Sequence, residues 1–170
     1  MLFKPQLGIR KSFAIWATVF AAVMIVAAWM QPFYPVIVSG ESMAPAFHSG
    51  QLIWGIKARK IQEKPFQRGE VVVIRKDGGK LLKRIYALPG DEVVLFSTDD
   101  RDRIVVQAGD YLRFYRLVNG IGSARIQRYD VPPGHLFVLG DSPQVSLDSR
   151  DFGPIPFSSV LARFPTFFSQ

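Results

Sequence analysis

The run Glu70-Val71-Val72-Val73-Ile74-Arg75-Lys76-Asp77-Gly78-Gly79-Lys80-Leu81-Leu82-Lys83-Arg84-Ile85-Tyr86-Ala87 sets two largely apolar segments on either side of an Asp-Gly pair. Asp-Gly suits the two-residue turns whose central residues need positive φ, and the β-branched residues beside it suit extended chain. The sequence therefore predicts a β-hairpin, with strands over Glu70 to Arg75 and Lys80 to Ala87. Successive side chains of a strand alternate faces, so Leu81, Lys83, Ile85 and Ala87 form one row and Leu82, Arg84 and Tyr86 the other. Lys83 thus stands in an apolar row, while Arg84 points away from it.

Downstream of the hairpin, Pro89-Gly90-Asp91 ends the second strand. Glu92 to Phe96, Ile104 to Gln107 and Tyr111 to Val118 read as further strands, with Thr98 to Arg103 as a charged connection and Asn119-Gly120 as a turn. Pro132-Pro133-Gly134 precedes the apolar run Leu136 to Leu139, and Gly140-Asp141 then opens a loop that reaches Pro156. Upstream, Val36-Ile37-Val38 reads as a short strand leading into a turn at Gly40-Glu41-Ser42-Met43-Ala44-Pro45. Many short strands separated by turn residues predict a mainly β, antiparallel-sheet domain. There is no internal repeat and no low-complexity tract.

The N-terminus has a different character. Phe13 to Met30 is an 18-residue apolar run whose only hydroxyl is Thr18, preceded by Lys4, Arg10 and Lys11 and followed by Pro32 and Pro35. At ~1.5 Å per residue such a helix spans roughly 27 Å, close to the ~30 Å hydrocarbon core of a bilayer. A membrane anchor, a cleaved secretory signal and a buried core helix all compete for this run. The apolar region of a signal peptide is usually ~7–15 residues long, and the bulky Trp29 and Met30 do not form a small-x-small cleavage site, so the anchor is the preferred reading. Basic residues before the run and no charge after it until Glu41 place the N-terminus in the cytoplasm and the rest outside, in a single pass through the inner or plasma membrane. The expected organisation is a cytoplasmic segment at 1–12, an anchor at 13–31 and an extracytoplasmic, periplasmic β domain at 32–170.

Composition narrows the function classes. The 170 residues carry 21 Lys and Arg against 14 Asp and Glu, a formal net charge of +7. Removing the three N-terminal cations leaves +4 spread without a dense run, and no zinc-finger, RRM or helix-turn-helix pattern accompanies it, so nucleic acid is not an expected partner. A modest attraction to an anionic bilayer is the alternative use of that charge. With no cysteine, disulfides and a thiolate nucleophile are excluded. Two isolated histidines, His48 and His135, do not make a metal site, no cofactor motif is present, and the nucleophile-elbow pattern G-x-S-x-G is absent.

Ser42 and Lys83 remain as candidate chemistry. A lysine at its usual pKa of ~10.4 is protonated at neutral pH, and desolvation in an apolar row is one of the usual ways to make it a base. A lone serine in a turn and a snorkelling structural lysine are the bland readings of the same residues. Only 12 residues separate Met30 from Ser42, at most ~40 Å when extended, which keeps Ser42 near any membrane the helix crosses. Phe33, Tyr34 and Trp54 are aromatics that would rest on lipid or pack in the core.

Four segments occur together in one order: Gly40 to Pro45; Gly69-Glu70-Val71-Val72-Val73; Lys83-Arg84 followed by Pro89-Gly90-Asp91; and Gly140-Asp141 to Ser146, Asp148, Ser149 and Arg150. With the flanking runs Val131 to Asp141 and Asp148 to Pro156, this set resembles the boxes of the type I signal peptidases, over about residues 13 to 156. The resemblance implies a membrane-bound serine endopeptidase with a signal-peptidase-like antiparallel β-sheet domain, removing signal or leader peptides from exported precursors. Ser42 would be the nucleophile and Lys83 the general base. Ser146 would orient the lysine, Asp148 and Arg150 would form a supporting pair, and Asp141 would be an acidic residue of the same loop. The Ser42 amide would supply one oxyanion donor, with Gly40 at the position of the other. The substrate would lie as an added strand on Val36, Ile37 and Val38, with Met43 also at the substrate face, and would carry small residues one and three positions before the cut, as in Ala-x-Ala. The resemblance implies no cofactor and no metal.

Three positions depart from that pattern. Gly40 stands where one branch of the family has a serine whose hydroxyl completes the oxyanion hole, Ala46 replaces a common threonine, and Ser142 replaces the usual asparagine. With the short chain and single anchor, these features suit a specialised member such as the conjugative-transfer peptidases that mature pilin subunits. An inactive membrane-anchored binding module would have a broken dyad. A self-cleaving repressor-type protease would carry a DNA-binding domain in place of an anchor.

Overall fold

The computed structural model describes residues 7–58, 65–97, 103–107 and 125–164. The strand expected over Tyr111 to Val118, the turn at Asn119-Gly120 and most of the Thr98 to Arg103 connection lie outside the described residues. Contacts divide the chain into two units, Met1–Phe33 and Tyr34–Gln170.

Helix α1 spans Leu7–Met30, and its stretch Ser12–Met30 is long and apolar enough to cross a membrane. Bulky side chains such as Trp16, Phe20, Ile25 and Trp29 are exposed around it, as in a helix whose solvent is not water. The Thr18 hydroxyl donates to the Ala14 carbonyl at 2.8 Å, so the one hydroxyl of the apolar run is satisfied inside the helix.

The second unit is built from antiparallel strands: β1 (Phe33–Ile37), β2 (Leu52–Lys57), β3 (Val71–Lys76), β4 (Gly79–Ala87), β5 (Glu92–Ser97), β6 (Arg103–Gln107), β7 (Arg125–Asp130), β8 (His135–Leu139), β9 (Ile155–Pro156) and β10 (Val160–Phe164). Seven of them form a sheet in the order β1-β2-β10-β3-β4-β8-β9, and β6-β5-β7 form a second sheet. A four-residue helix, α2 (Ser149–Phe152), lies between β8 and β9.

The β3–β4 hairpin closes as its sequence predicts. Lys76 pairs with Gly79, leaving Asp77 and Gly78 as a two-residue turn with φ of 47° and 79°, the positive values of a type I′ turn. Val71 to Ile74 are buried on both faces, because β3 lies between β4 and β10 with apolar clusters on either side. One cluster gathers Val38, Met43, Phe47, Val71, Val73 and Phe164; the other gathers Val72, Ile74, Ile85, Leu136, Val138 and Val160. Along β4 burial alternates as expected, with Lys83, Ile85 and Ala87 buried and Arg84 and Tyr86 partly exposed.

Candidate active site

Ser42 lies in the turn that follows β1. The amide of Ala44 bonds the Glu41 carbonyl at 3.1 Å and that of Phe47 bonds Met43 at 2.9 Å, while the Met43 and Phe47 side chains sink into the core beside Val38. Two buried anchors thus fix a turn that leaves Ser42 half-buried.

Lys83 reaches this turn from β4. Its side chain is only 2% exposed, and Nζ donates to Ser42 Oγ at 2.9 Å. Burial pushes its pKa below the ordinary 10.5; Asp148 and Asp141 oppose that shift, and the Arg150 guanidinium reinforces it. In the neutral form the same bond reverses, with the Ser42 hydroxyl donating to the amine, which is the arrangement needed to take a proton from the serine.

The loop after β8 supports the pair. Asp148 is fully buried and caps α2: it accepts from the Arg150 amide at 3.1 Å, from Arg150 Nε at 2.8 Å and Nη2 at 2.6 Å, and from the Gly140 amide at 2.9 Å. Burial works to raise its pKa, but Arg150 and the Gly140 amide outweigh that and hold it below the ordinary 3.8. Ser149 Oγ accepts from the Val138 amide at 3.0 Å, tying α2 to β8.

Asp141 forms a bidentate pair with Arg84, Nε to Oδ1 at 2.8 Å and Nη2 to Oδ2 at 2.6 Å. Arg84 Nη1 also donates to the Gly69 carbonyl at 2.9 Å. The next residue, Ser142, donates its amide to the Ser42 carbonyl at 3.1 Å. Adjacent residues of β4 therefore hold Ser42 from two sides, Lys83 at its hydroxyl and Arg84 through Asp141 and Ser142 at its carbonyl. Because the Ser142 contact comes from the backbone, it does not depend on the side chain at that position. Gly140 fits this packing because it has no Cβ, which would lie 2.6 Å from the Ser42 carbonyl and against Ser146 Oγ.

Three expected contacts differ. Ser146 Oγ is buried and has no hydrogen-bond partner among the described residues, so a Ser146–Lys83 bond is not formed here; the lysine's donor goes to Ser42. The Gly40 amide, expected at the oxyanion position, donates to Ser49 Oγ at 3.3 Å, and Gly40 is exposed. The Ser42 amide makes no hydrogen bond among the described residues. Met43, expected at the substrate face, is 1% exposed and packs in the core. Val36, Ile37 and Val38 do line a groove of about 240 Å³ with Tyr34, Ser39 and β4 residues Lys80 to Leu82. Within that set Val38 is buried, with its amide and carbonyl bonded to Gln51 and Gly50, whereas Ile37 is 71% exposed. Neither histidine bonds Ser42: the His48 amide donates to Gln51, and His135 Nδ1 lies 3.0 Å from the Pro133 carbonyl.

The profile of the family described as signal peptidase, peptidase S26, matches residues 11–168, and so takes in every residue of this site. The chain belongs to that family. Signal peptidase I U of Bacillus subtilis (strain 168) is 30% identical over 83% of this chain and 78% of its own length. A mitochondrial ATP-independent inner membrane protease subunit 1b of Arabidopsis thaliana is 33% identical over 73% of this chain; the match spans 63% of that relative's length. A solved signal peptidase I from Enterococcus faecalis V583 is 26% identical, covering 59% of this chain and 97% of that one, with a TM-score of 0.40. The protein is a signal peptidase I-type peptide hydrolase.

Proposed function

We propose that this protein cuts exported precursors after Ala-x-Ala-like sites with Ser42 as nucleophile and Lys83 as general base. The observation that carries the reading is the 2.9 Å contact between a buried lysine of depressed pKa and a serine hydroxyl. Ser42 Oγ attacks the carbonyl carbon of the residue before the cut while its proton passes to Lys83 Nζ. Collapse of the tetrahedral oxyanion breaks the C–N bond, and Lys83 returns the proton to the departing amine. Water, deprotonated by Lys83, then hydrolyses the Ser42 ester and releases the signal peptide. The Ser42 amide is one donor available to the oxyanion.

β1 is the terminal strand of its sheet, so the precursor would add beside it in the groove, using backbone pairing for affinity and the walls near Ser39 and Leu82 to select small side chains. Helix α1 would anchor the enzyme in the bilayer with its basic N-terminus in the cytoplasm and Ser42 on the far side. Detergent-solubilised protein, incubated with a precursor bearing an Ala-x-Ala site, should release a product whose new N-terminus follows that site, and Ser42→Ala should release none. Product formed equally by the Ser42→Ala variant would overturn the reading.

A further inference from the structure

Lys80 and Tyr34 stand at the end of the groove away from the dyad. β1 and β4 both run toward the site, β1 from Tyr34 to Ser39 and on to Ser42, and β4 from Lys80 to Leu82 and on to Lys83. Ser39 and Leu82 are thus nearest the dyad in sequence, and Lys80 is the one charged residue lining the groove among the described residues. Its Nζ sits 5.4 Å from the centre of the Tyr34 ring, which holds the ammonium over an aromatic face. Opposite Lys80 in the β3–β4 register is Arg75, another cation, and like charges placed across a strand pair repel. Lys76, by contrast, has Asp77 at 2.8 Å, whereas Lys80 and Arg75 form no ion pair with a carboxylate among the described residues. Two unneutralised cations paired across the hairpin at the mouth of a peptide groove make a place for an anion supplied by the occupant.

We infer that Lys80, seated on Tyr34 and backed by Arg75, reads the charge of the precursor upstream of the cut and favours a carboxylate there. The inference rests on the proposal that the groove holds the precursor. Lys80 precedes Lys83 by three residues, roughly 10 Å along a strand, and an extended substrate advances at the same pace. Beyond the small residues at the first and third positions, the carboxylate would therefore belong to about the fourth or fifth residue before the cut. The residue acts on substrate binding, not on the bond-breaking step.

The test uses full-length protein in detergent and three peptides with the same Ala-x-Ala site, carrying Asp, Asn or Lys at the fourth position before the cut, with a second set changed at the fifth. At low salt the wild type should cleave the Asp peptide about three- to five-fold better in kcat/KM than the Lys peptide at one of these positions, with the difference in KM. Added salt should shrink that ratio. Lys80→Glu should reverse the order and Lys80→Gln should flatten it, each rate being normalised to that of the Asn peptide on the same variant. Equal cleavage of the charge series by wild type, or the wild-type order kept in Lys80→Glu, overturns the assignment of Lys80. Failure of wild type to cleave any of the peptides overturns the underlying reading of the groove instead.

Discussion

Lys83 Nζ and Ser42 Oγ lie 2.9 Å apart although 41 residues separate them in sequence. The contact exists because β4 carries the lysine inward in an apolar row while Met43 and Phe47 pin the serine's turn to the core. Burial of the lysine is therefore both a packing feature and the reason its amine is shifted toward the neutral form.

That burial predicts a pH dependence of definite sign. The folded pKa of Lys83 is below 10.5, so between the folded and unfolded pKa values the unfolded chain binds more protons and stability rises with pH. Lys83→Met removes the buried amine. Its thermal midpoint should exceed the wild type's at the acid end of that window, with the gain fading as pH approaches 10.5. The kcat/KM of the wild type should rise with pH to a plateau reached below 10.5, since only the neutral amine is a base. Thermal melts and rate profiles over the same pH series check both.

Arg84 pairs with Asp141, and the next residue, Ser142, bonds the Ser42 carbonyl. Arg84→Lys keeps the charge but loses the two-pronged contact with Asp141, and Asp141→Asn weakens it from the other side. Each should lower kcat by about 10- to 100-fold with little change in KM, as expected when a reacting group shifts by a fraction of an ångström to an ångström. Steady-state kinetics on one peptide substrate separates this outcome from a change in binding.

Gly140→Ala should abolish activity, because the added methyl would sit 2.6 Å from the Ser42 carbonyl, which is backbone and has no other place to go. Ser146→Ala is the contrasting change. It removes a buried hydroxyl that has no partner among the described residues, so its thermal midpoint should equal or exceed the wild type's. If that hydroxyl turns to Lys83 during turnover, kcat falls while the midpoint does not.

Arg150→Ala leaves Asp148 buried and unpaired and should cost about 3–5 kcal/mol near neutral pH. In the wild type the depressed pKa of Asp148 contributes stability that is present above 3.8 and lost as pH falls through the folded value. The difference between variant and wild type should accordingly narrow in strong acid, as denaturant titrations across pH would record.

The hairpin was legible because its determinants are local: Asp77-Gly78 fixes the turn, and the alternation from Leu81 to Ala87 fixes the faces. The same alternation put Lys83 in an apolar row before any contact was known. β10 was not legible, since Val160–Phe164 follows two prolines and is defined by insertion between β2 and β3, a pairing over about a hundred residues that no local pattern encodes. β2 is interrupted by Gly55, which reads as a breaker, yet a Cβ there would lie 2.8 Å from the Phe164 ring. β7 carries Arg125, Arg128 and Asp130 and lacks an apolar alternation. In the site, the inward packing of Met43 was not legible, because a turn sequence does not say which of its residues anchors it. The role of Arg84 was hidden because its partner Asp141 lies 57 residues on; a Lys-Arg step in an alternating strand, followed later by a Gly-Asp loop, was the available signal.

Whether Ser42 and Lys83 work as one unit is tested most directly by cleavage of a single precursor by wild type, Ser42→Ala, Lys83→Ala and the double variant. Residues that act as a unit lose nearly all their contribution when either is removed, so each single variant should fall by about 10⁴-fold or more in kcat and the double variant should be no worse. A Lys83→Ala variant that keeps the wild-type rate, or a double variant whose loss is the product of the two single losses, would contradict the dyad.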